Sequence, residues 1–357
     1  MKTFAELDIE NNGQYIKLLS AVAKLSGLFS ESAIPLVYYR AVENIFCKSF
    51  KAQDLSRSDT AFDARYKSTG IGIKTFICPR NSKKEKVAEF NSVSRELNGL
   101  NGKGLALKLA EYRNERIDLA NRTHDITSSL YHIVARRDSE LVLFETDYDK
   151  IDLNNINSIV ESDAGLHFED GKNLYSFNYS KSTLFRKFTI PERAHHVPID
   201  IIEDPYSLLL ELFENNDLKS DKSKLKKGIN YVVLPLYGIK RGQKFVFEKS
   251  GLNQWNAGGR KRNFGEVYIP IPKEIHNQFP GFFPERDKLF DLKIPTGEKF
   301  KTKVCQDNSK ALMTNPNKAL SDWLLRKIFQ LEEEEILTID KMNKLGSDSV
   351  TIEKIDN

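Results

Sequence analysis

The stretch NNDLKSDKSKLKKG, residues 215–228, constrains this chain more than any other feature. It is polar and lysine-rich and has no apolar periodicity, so it cannot contribute a buried helix or strand. A chain of 357 residues is long enough for two ordinary domains. We place a first domain over 1–217, a linker over 218–228, a second domain over 229–335 and an acidic tail over 336–357. The two sides follow different local patterns. Before the linker, YIKLLSAVAKLSGLF and LVYYRAVENIFCKSF space apolar residues helically. The same reading predicts helices over 83–98, 104–121 and 205–215. Strands are predicted around Asp63 and Lys74, in SLYHIVARR and ELVLFET, and in a hairpin turning near Asp170-Gly171. This is an α/β (α+β) domain with a central mixed sheet. After the linker, YVVLPLYG, KFVFEKSGLN, EVYIPIP, LFDLKIP and KFKTKVCQD read as short strands punctuated by Gly and Pro. Such spacing predicts a mainly β domain, an antiparallel sheet or barrel.

Charge divides the chain as well. The net charge of +4 conceals 23 Lys and Arg against 10 Asp and Glu in residues 219–329, while the region before it is near balance. A basic segment in a near-neutral chain is the footprint of a nucleic-acid-binding domain, or of a lysine-rich solvated surface. With no run of about 18 apolar residues, no membrane span is expected. The opening MKTFAELDIENNG lacks the apolar core of a secretory signal. Cys47, Cys78 and Cys305 form neither a zinc pattern nor a disulfide framework and suit a reducing cytoplasm.

FDARYKSTGIGIKTF, residues 62–76, puts Lys74 in an otherwise apolar alternating strand beside a second strand that carries Asp63. Gly72 and Lys74 share one face by the two-residue period. A carboxylate and a lysine projecting together suit metal-assisted phosphodiester hydrolysis: Asp63 would hold a hard divalent ion through oxygen, and Lys74 would stabilise charge on a phosphate. A second acid is needed. Glu85 and Glu89 fall one turn apart on the helix predicted over 83–98, and Glu43 lies on an earlier helix.

These residues resemble the motif of the PD-(D/E)XK nuclease superfamily, in which an Asp precedes a strand carrying an acid, any residue and then Lys. Phe62 stands at the Pro position and Gly72 at the strand acid. One branch of restriction enzymes carries that acid on the following helix, about a dozen residues beyond the Lys, and this implies Asp63 and Glu89 as metal ligands with Glu85 in reserve. Other chemistries find no support. No HxK motif and no Walker loop occur, and His195-His196 match no known metal spacing. FNYSKSTLFRKF, 177–188, reads equally as a phosphate-contacting segment and as a strand end with a solvated basic face.

SGLNQWNAGGRKRNFGEVYIPIP, 250–272, is the most specific stretch. It gathers Gln254, Trp255, Asn256, Arg260, Lys261, Arg262 and Asn263 around two glycines. Arg, Asn and Gln pair with guanine and adenine edges in the major groove. A second polar segment, 304–320, carries Gln306, Asp307, Asn308, Lys310, Asn315 and Asn317. Trp255 reads equally as a core residue. Together with PGFFPERDKLFDL, CQDNSKAL and SDWLLRKIF, these segments resemble, in order, the B3-like DNA-binding domain of type II restriction enzymes of the BfiI, NgoFVII and EcoRII types. That resemblance covers about residues 228–330 and implies two arms entering the major groove, 254–263 and 306–310.

The expectation is therefore a type II restriction endonuclease: Mg²⁺-dependent, acting on double-stranded DNA, dimeric at least on DNA, cytoplasmic, and paired with a companion methyltransferase implied by the resemblance. Two alternatives stay open. One is a non-catalytic DNA-binding protein with a degenerate nuclease domain, suggested by Gly72. The other is a nuclease selective for modified DNA.

Overall fold

The computed structural model describes residues 2–57, 60–215, 231–240 and 242–355. Its contacts divide the chain into two units, 1–117 with 126–220 and 118–125 with 221–357. The predicted linker 218–228 lies outside the described residues.

The first unit holds two sheets. One is six-stranded and mixed, in the order Gln53–Asp54, Ala64–Tyr66, Thr69–Ile77, Ser128–Arg137, Glu140–Asp147 and His195–Pro198. Its only parallel pair among the described residues, Thr69–Ile77 with Ser128–Arg137, is joined through the 23-residue helix Gly102–His124. A parallel pair requires a crossover of this kind. Helices Phe4–Glu10, Tyr15–Lys24 and Tyr39–Phe50 cover one face, where Phe4, Tyr15, Leu19, Val42 and Phe46 pack on Ile71, Ile73, Val134 and Leu143. Thr3 opens the first helix with a capping box completed by Glu6. The second sheet is five-stranded and antiparallel, with Ser82–Glu89 at one edge, then Thr183–Thr189, Leu174–Asn178, Gly165–Glu169 and Asn157–Ser162. Leu166, Phe168, Phe177 and Leu184 from this sheet pack with Leu105, Leu109 and Ala110 of the long helix.

The helix predicted over 83–98 is corrected here. Residues Ser82–Glu89 form a strand, paired in register with Thr183–Thr189 apart from one irregularity at Leu184/Phe185. Lys, Glu and Ala favour helix in isolation, but long-range pairing overrides that weak local preference. The lysines serve the edge instead, since charged side chains discourage further strand addition. Helix resumes only at Ser94–Leu97.

The second unit is mainly β. Its largest sheet orders Ile269–Pro270, Ala311–Thr314, Lys299–Cys305 and Leu289–Lys293, all antiparallel. Gly238–Lys240 pairs with Gln243–Phe245. Tyr231–Pro235 pairs with Ser349–Glu353 across the whole length of both strands. The expected acidic tail is therefore corrected for residues 336–355. Leu337, Met342, Leu345 and Ile352 belong to the same core as Val232, Leu234, Ile269, Val304 and Leu325. Asn253 fixes the segment, donating from Nδ2 to the Leu337 carbonyl at 2.9 Å and accepting from the Leu337 amide at 2.9 Å. The LEEEEIL charges concealed a continuing apolar pattern, because Leu331 and Leu337 on either side of them are buried.

Candidate functional site

The two faces of the Thr69–Ile77 strand have different roles. Ile71 and Ile73 point into the helix-covered core. Gly70, Gly72 and Lys74 share the other face by strand alternation. Gly72 stands opposite Tyr131 on the parallel neighbour, and the Tyr131 ring stacks on Tyr148 at 3.9 Å between centroids. A Cβ at residue 72 would lie 2.7 Å from Tyr148 and 2.8 Å from Tyr131. No acid fits at this position without displacing the tyrosine pair, which explains in steric terms why the strand carries glycine here.

Asp63 immediately precedes the strand Ala64–Tyr66, whose Ala64 is registered with Ile71. Its amide donates to the Ile71 carbonyl at 2.9 Å, and its Oδ2 accepts from the Ile73 amide at 2.7 Å. These bonds lock the side chain beside the strand that carries Lys74. Asp63 and Lys74 line one cavity of about 150 Å³, together with Gly72, Arg113, Tyr131 and Tyr148. Burial raises the Asp63 carboxyl above its ordinary range, against the opposing pull of the Ile73 amide and Lys74. The Lys74 ammonium lies 6.0 Å from the centre of the Tyr131 ring.

The other candidate acids separate. Glu43 is 5% exposed on helix Tyr39–Phe50 and pairs with Arg40 at 2.9 Å. Burial and then the charge of Asp63 raise its carboxyl, and Arg40 opposes the shift. Glu85 is half-buried on the edge strand; burial raises its carboxyl, and Lys83, Lys74 and Arg136 oppose the shift. Lys74 thus lies within electrostatic reach of both Asp63 and Glu85. Glu89 is exposed on the same strand, binds Lys86 at 2.9 Å and accepts from the Asn91 amide. None of Glu43, Glu85 and Glu89 lines the cavity. The one-turn spacing that paired Glu85 with Glu89 disappears along with the helix.

Among the described residues, no group of three or more His, Cys, Asp or Glu is gathered as a metal cage. Mg²⁺ does not need one: it commonly takes one or two carboxylates and completes its shell with water and phosphate oxygens. Asp63 and Glu43 are hard oxygen donors, and burial raises both carboxyls although Lys74 and Arg40 pull the other way. That donor chemistry fits a hard divalent cation.

Reading by motif overlooked the aromatic and cationic lining. Arg113, on the long helix, is 3% exposed and donates from Nη1 to the Asp149 carbonyl at 2.9 Å. Its guanidinium lies 5.2 Å from the Tyr148 ring centre. Arg186, from the 177–188 segment, is also buried; it lies outside the cavity lining, donates to the Asp147 carbonyl and lies 5.6 Å from the Tyr131 ring. Neither arginine belongs to a short motif, although each interrupts an apolar pattern as Lys74 does. His196 pairs with Glu140 at 2.9 Å on an outer strand.

In the second unit the first predicted arm begins with the 3-10 turn Gly251–Asn256. Trp255 packs partly buried against the core, edge-on to Phe264. Gln254 is half-buried, and Asn256 donates to the Glu248 carbonyl at 3.1 Å. Arg262 braces the loop through the Ala257 and Gly258 carbonyls. Arg260 forms a two-pronged pair with Glu266, while Lys261 and Asn263 are exposed. Gly259, at φ +93°, permits the bend. The second predicted arm is a tight turn, Asp307–Ser309, with Gln306, Asn308 and Ser309 all at positive φ. Asp307 and Asn308 are exposed there, as is Lys310, and Arg286 approaches Asp307 at 3.5 Å. His276 holds the Ser309 carbonyl at 2.9 Å. Arg260 and Asn263 also share a shallow groove with Asn315, Asn317 and Lys318.

Residues 229–356 match the family model of the NgoFVII C-terminal B3-like DNA-binding domain. The match spans the described second unit from Tyr231 onward, including the 336–355 segment. It supports sequence-specific binding of double-stranded DNA within a restriction system. No curated protein matches the chain. No helix among the described residues is long and apolar enough to cross a membrane.

Proposed function

We propose that the chain is a type II restriction endonuclease: a Mg²⁺-dependent nuclease of PD-(D/E)XK type joined to a B3-like recognition domain. The observation that carries this reading is the meeting of Asp63 and Lys74 in one cavity, in a chain whose other unit matches a restriction-enzyme DNA-binding domain. Asp63 and Glu43 would hold the cation, and Glu43 is preferred to Glu89 because it is a buried acid, whereas Glu89 is exposed and already paired with Lys86 and Asn91. When bound, the ion would supply Lewis acidity at the phosphate and lower the pKa of water. Lys74 would stabilise charge developing on the phosphate oxygens, and Glu85 would fix the position of the Lys74 ammonium. The exposed side chains of 260–263 and 306–310 would read base edges, with Arg260 released from Glu266 to do so. Cutting both strands implies two active sites, hence a homodimer at least on DNA. A cytoplasmic setting and a methyltransferase companion follow from the same reading.

The glycine at residue 72 favours a second reading, a DNA-binding protein that does not cut. Plasmid cleavage with and without Mg²⁺ separates the two. Mg²⁺-dependent linear or nicked product that is lost in Lys74→Ala, with DNA binding retained, supports the nuclease. An intact plasmid at saturating protein and Mg²⁺, on both methylated and unmethylated substrate, overturns it.

A further inference from the structure

The cavity beside Asp63 contains donors that the metal-and-lysine reading does not use. Arg113 is 3% exposed, yet its Nε and Nη2 have no hydrogen-bond partner among the described residues. The Tyr131 hydroxyl, on a residue 1% exposed, makes no hydrogen bond of good geometry, although it lies close enough to Arg113 and Tyr148 to act on both. Both residues line the cavity. Leaving such groups buried and unpaired is costly, and a guanidinium more so than a neutral donor. Water could serve a hydroxyl. A planar fork with two unpaired N–H groups, on a residue that lines a cavity, matches a tetrahedral oxyanion far better. The fork is also rigidly placed: its third prong holds the Asp149 carbonyl, and the Tyr148 ring lies against it.

From this we infer that Arg113, with the Tyr131 hydroxyl, forms a built-in phosphate site that seats a DNA phosphodiester beside Asp63 and Lys74. The inference rests on the nuclease reading for the identity of the ligand, but the anion site itself does not depend on catalysis. Lys74 shares the cavity and adds a second positive charge. Asp63 opposes an anion in the absence of a cation, so phosphate and a divalent ion should favour each other's binding.

The test uses the full chain, first in EDTA. Inorganic phosphate is titrated against chloride at matched ionic strength while the thermal midpoint is followed. Phosphate should raise the midpoint of the wild type beyond the chloride control. Arg113→Gln should abolish that increment, and Arg113→Lys, which keeps the charge but loses the fork, should weaken phosphate binding roughly tenfold. Arg113→Lys also provides the answer if Arg113→Gln does not fold. Equal midpoints in phosphate and chloride, or an undiminished phosphate increment in Arg113→Lys, overturn the inference. Plasmid cleavage then distinguishes the two readings. Phosphate binding through Arg113 in a protein that never cuts DNA sinks the nuclease reading and leaves the anion site standing. Normal cutting by Arg113→Lys, at wild-type DNA dependence, sinks the site alone.

Discussion

Gly72 and Tyr131 face each other across the parallel pair, and the Tyr131 ring occupies the space where a side chain on residue 72 would begin. Tyr148, stacked behind it, closes the remaining gap. The glycine is thus a packing requirement of the aromatic pair. Gly72→Ala should destabilise the fold by roughly 1–3 kcal/mol, the usual range for overpacking a filled site. Urea unfolding of the two proteins checks this. Gly72→Asp, which would restore a strand acid, should cost more stability and gain no activity. A stable, more active Gly72→Asp enzyme would show that the tyrosines yield easily.

Glu43 and Glu89 make a decisive pair for the metal assignment. Glu43 is buried, with its carboxyl raised first by burial and then by the Asp63 charge, whereas Glu89 is an exposed partner of Lys86 and Asn91. Glu43→Gln should reduce Mg²⁺-dependent cleavage roughly 10²–10³-fold, as loss of a charge-stabilising group at a reaction centre does. Glu89→Gln should leave the rate within about threefold, as expected of an exposed pair worth under about 1 kcal/mol. Cleavage rates across a Mg²⁺ titration decide between them, and the opposite ranking would return the site to the edge strand.

The crowding of acids also sets a pH dependence. Asp63 and Glu43 both have carboxyls raised in the folded state, first by burial. A raised folded value means that the native state holds protons the unfolded chain has already released. Stability from these groups is therefore full below the ordinary carboxylate range and falls as pH rises through the raised folded values. Asp63→Asn should flatten that slope in the metal-free protein. Millimolar Mg²⁺ or Ca²⁺ should restore stability at neutral pH in the wild type and not in Asp63→Asn. Thermal midpoints measured from pH 4 to 8 in EDTA and in Ca²⁺ follow both effects.

What could be read from residues alone depended on whether the determining contacts were local. The alternation around Lys74 and the helices over 12–50 are local patterns, and they fold as their periodicities direct. The 83–98 segment misled because its lysines, glutamates and alanine favour helix, while the Thr183–Thr189 strand that captures it lies almost a hundred residues away. The 336–355 segment misled for a similar reason, since its strand partner, Tyr231–Pro235, precedes it by more than a hundred residues. At the site, Asp63 and Lys74 were visible through their spacing. Arg113, Tyr131 and Tyr148 come from a helix and two positions around a distant strand pair, and only the fold assembles them into one lining.

In the second unit, Arg260 and Arg262 have the same charge but different duties. Arg262 donates to the carbonyls of Ala257 and Gly258 and so shapes the loop, while Arg260 extends into solvent, paired with Glu266 and donating to the Lys261 carbonyl at 3.3 Å. Arg260→Ala should remove one base contact, lowering affinity for the recognition sequence by roughly 1–3 kcal/mol while nonspecific binding changes little. Arg262→Ala should loosen the whole 257–262 bend and weaken specific binding more broadly, with every base position affected. Glu266→Gln frees Arg260 from a competing carboxylate and removes a negative charge from the groove that also holds Asn315, Asn317 and Lys318. It should strengthen nonspecific binding more than specific binding, and so reduce discrimination, most visibly at low salt, where phosphate contacts dominate. Binding curves for cognate and scrambled duplexes across a salt series measure all three variants. If Arg260→Ala lowers affinity for both duplexes equally and reduces the salt slope by about one, Arg260 contacts phosphate and the base-reading role passes to its neighbours.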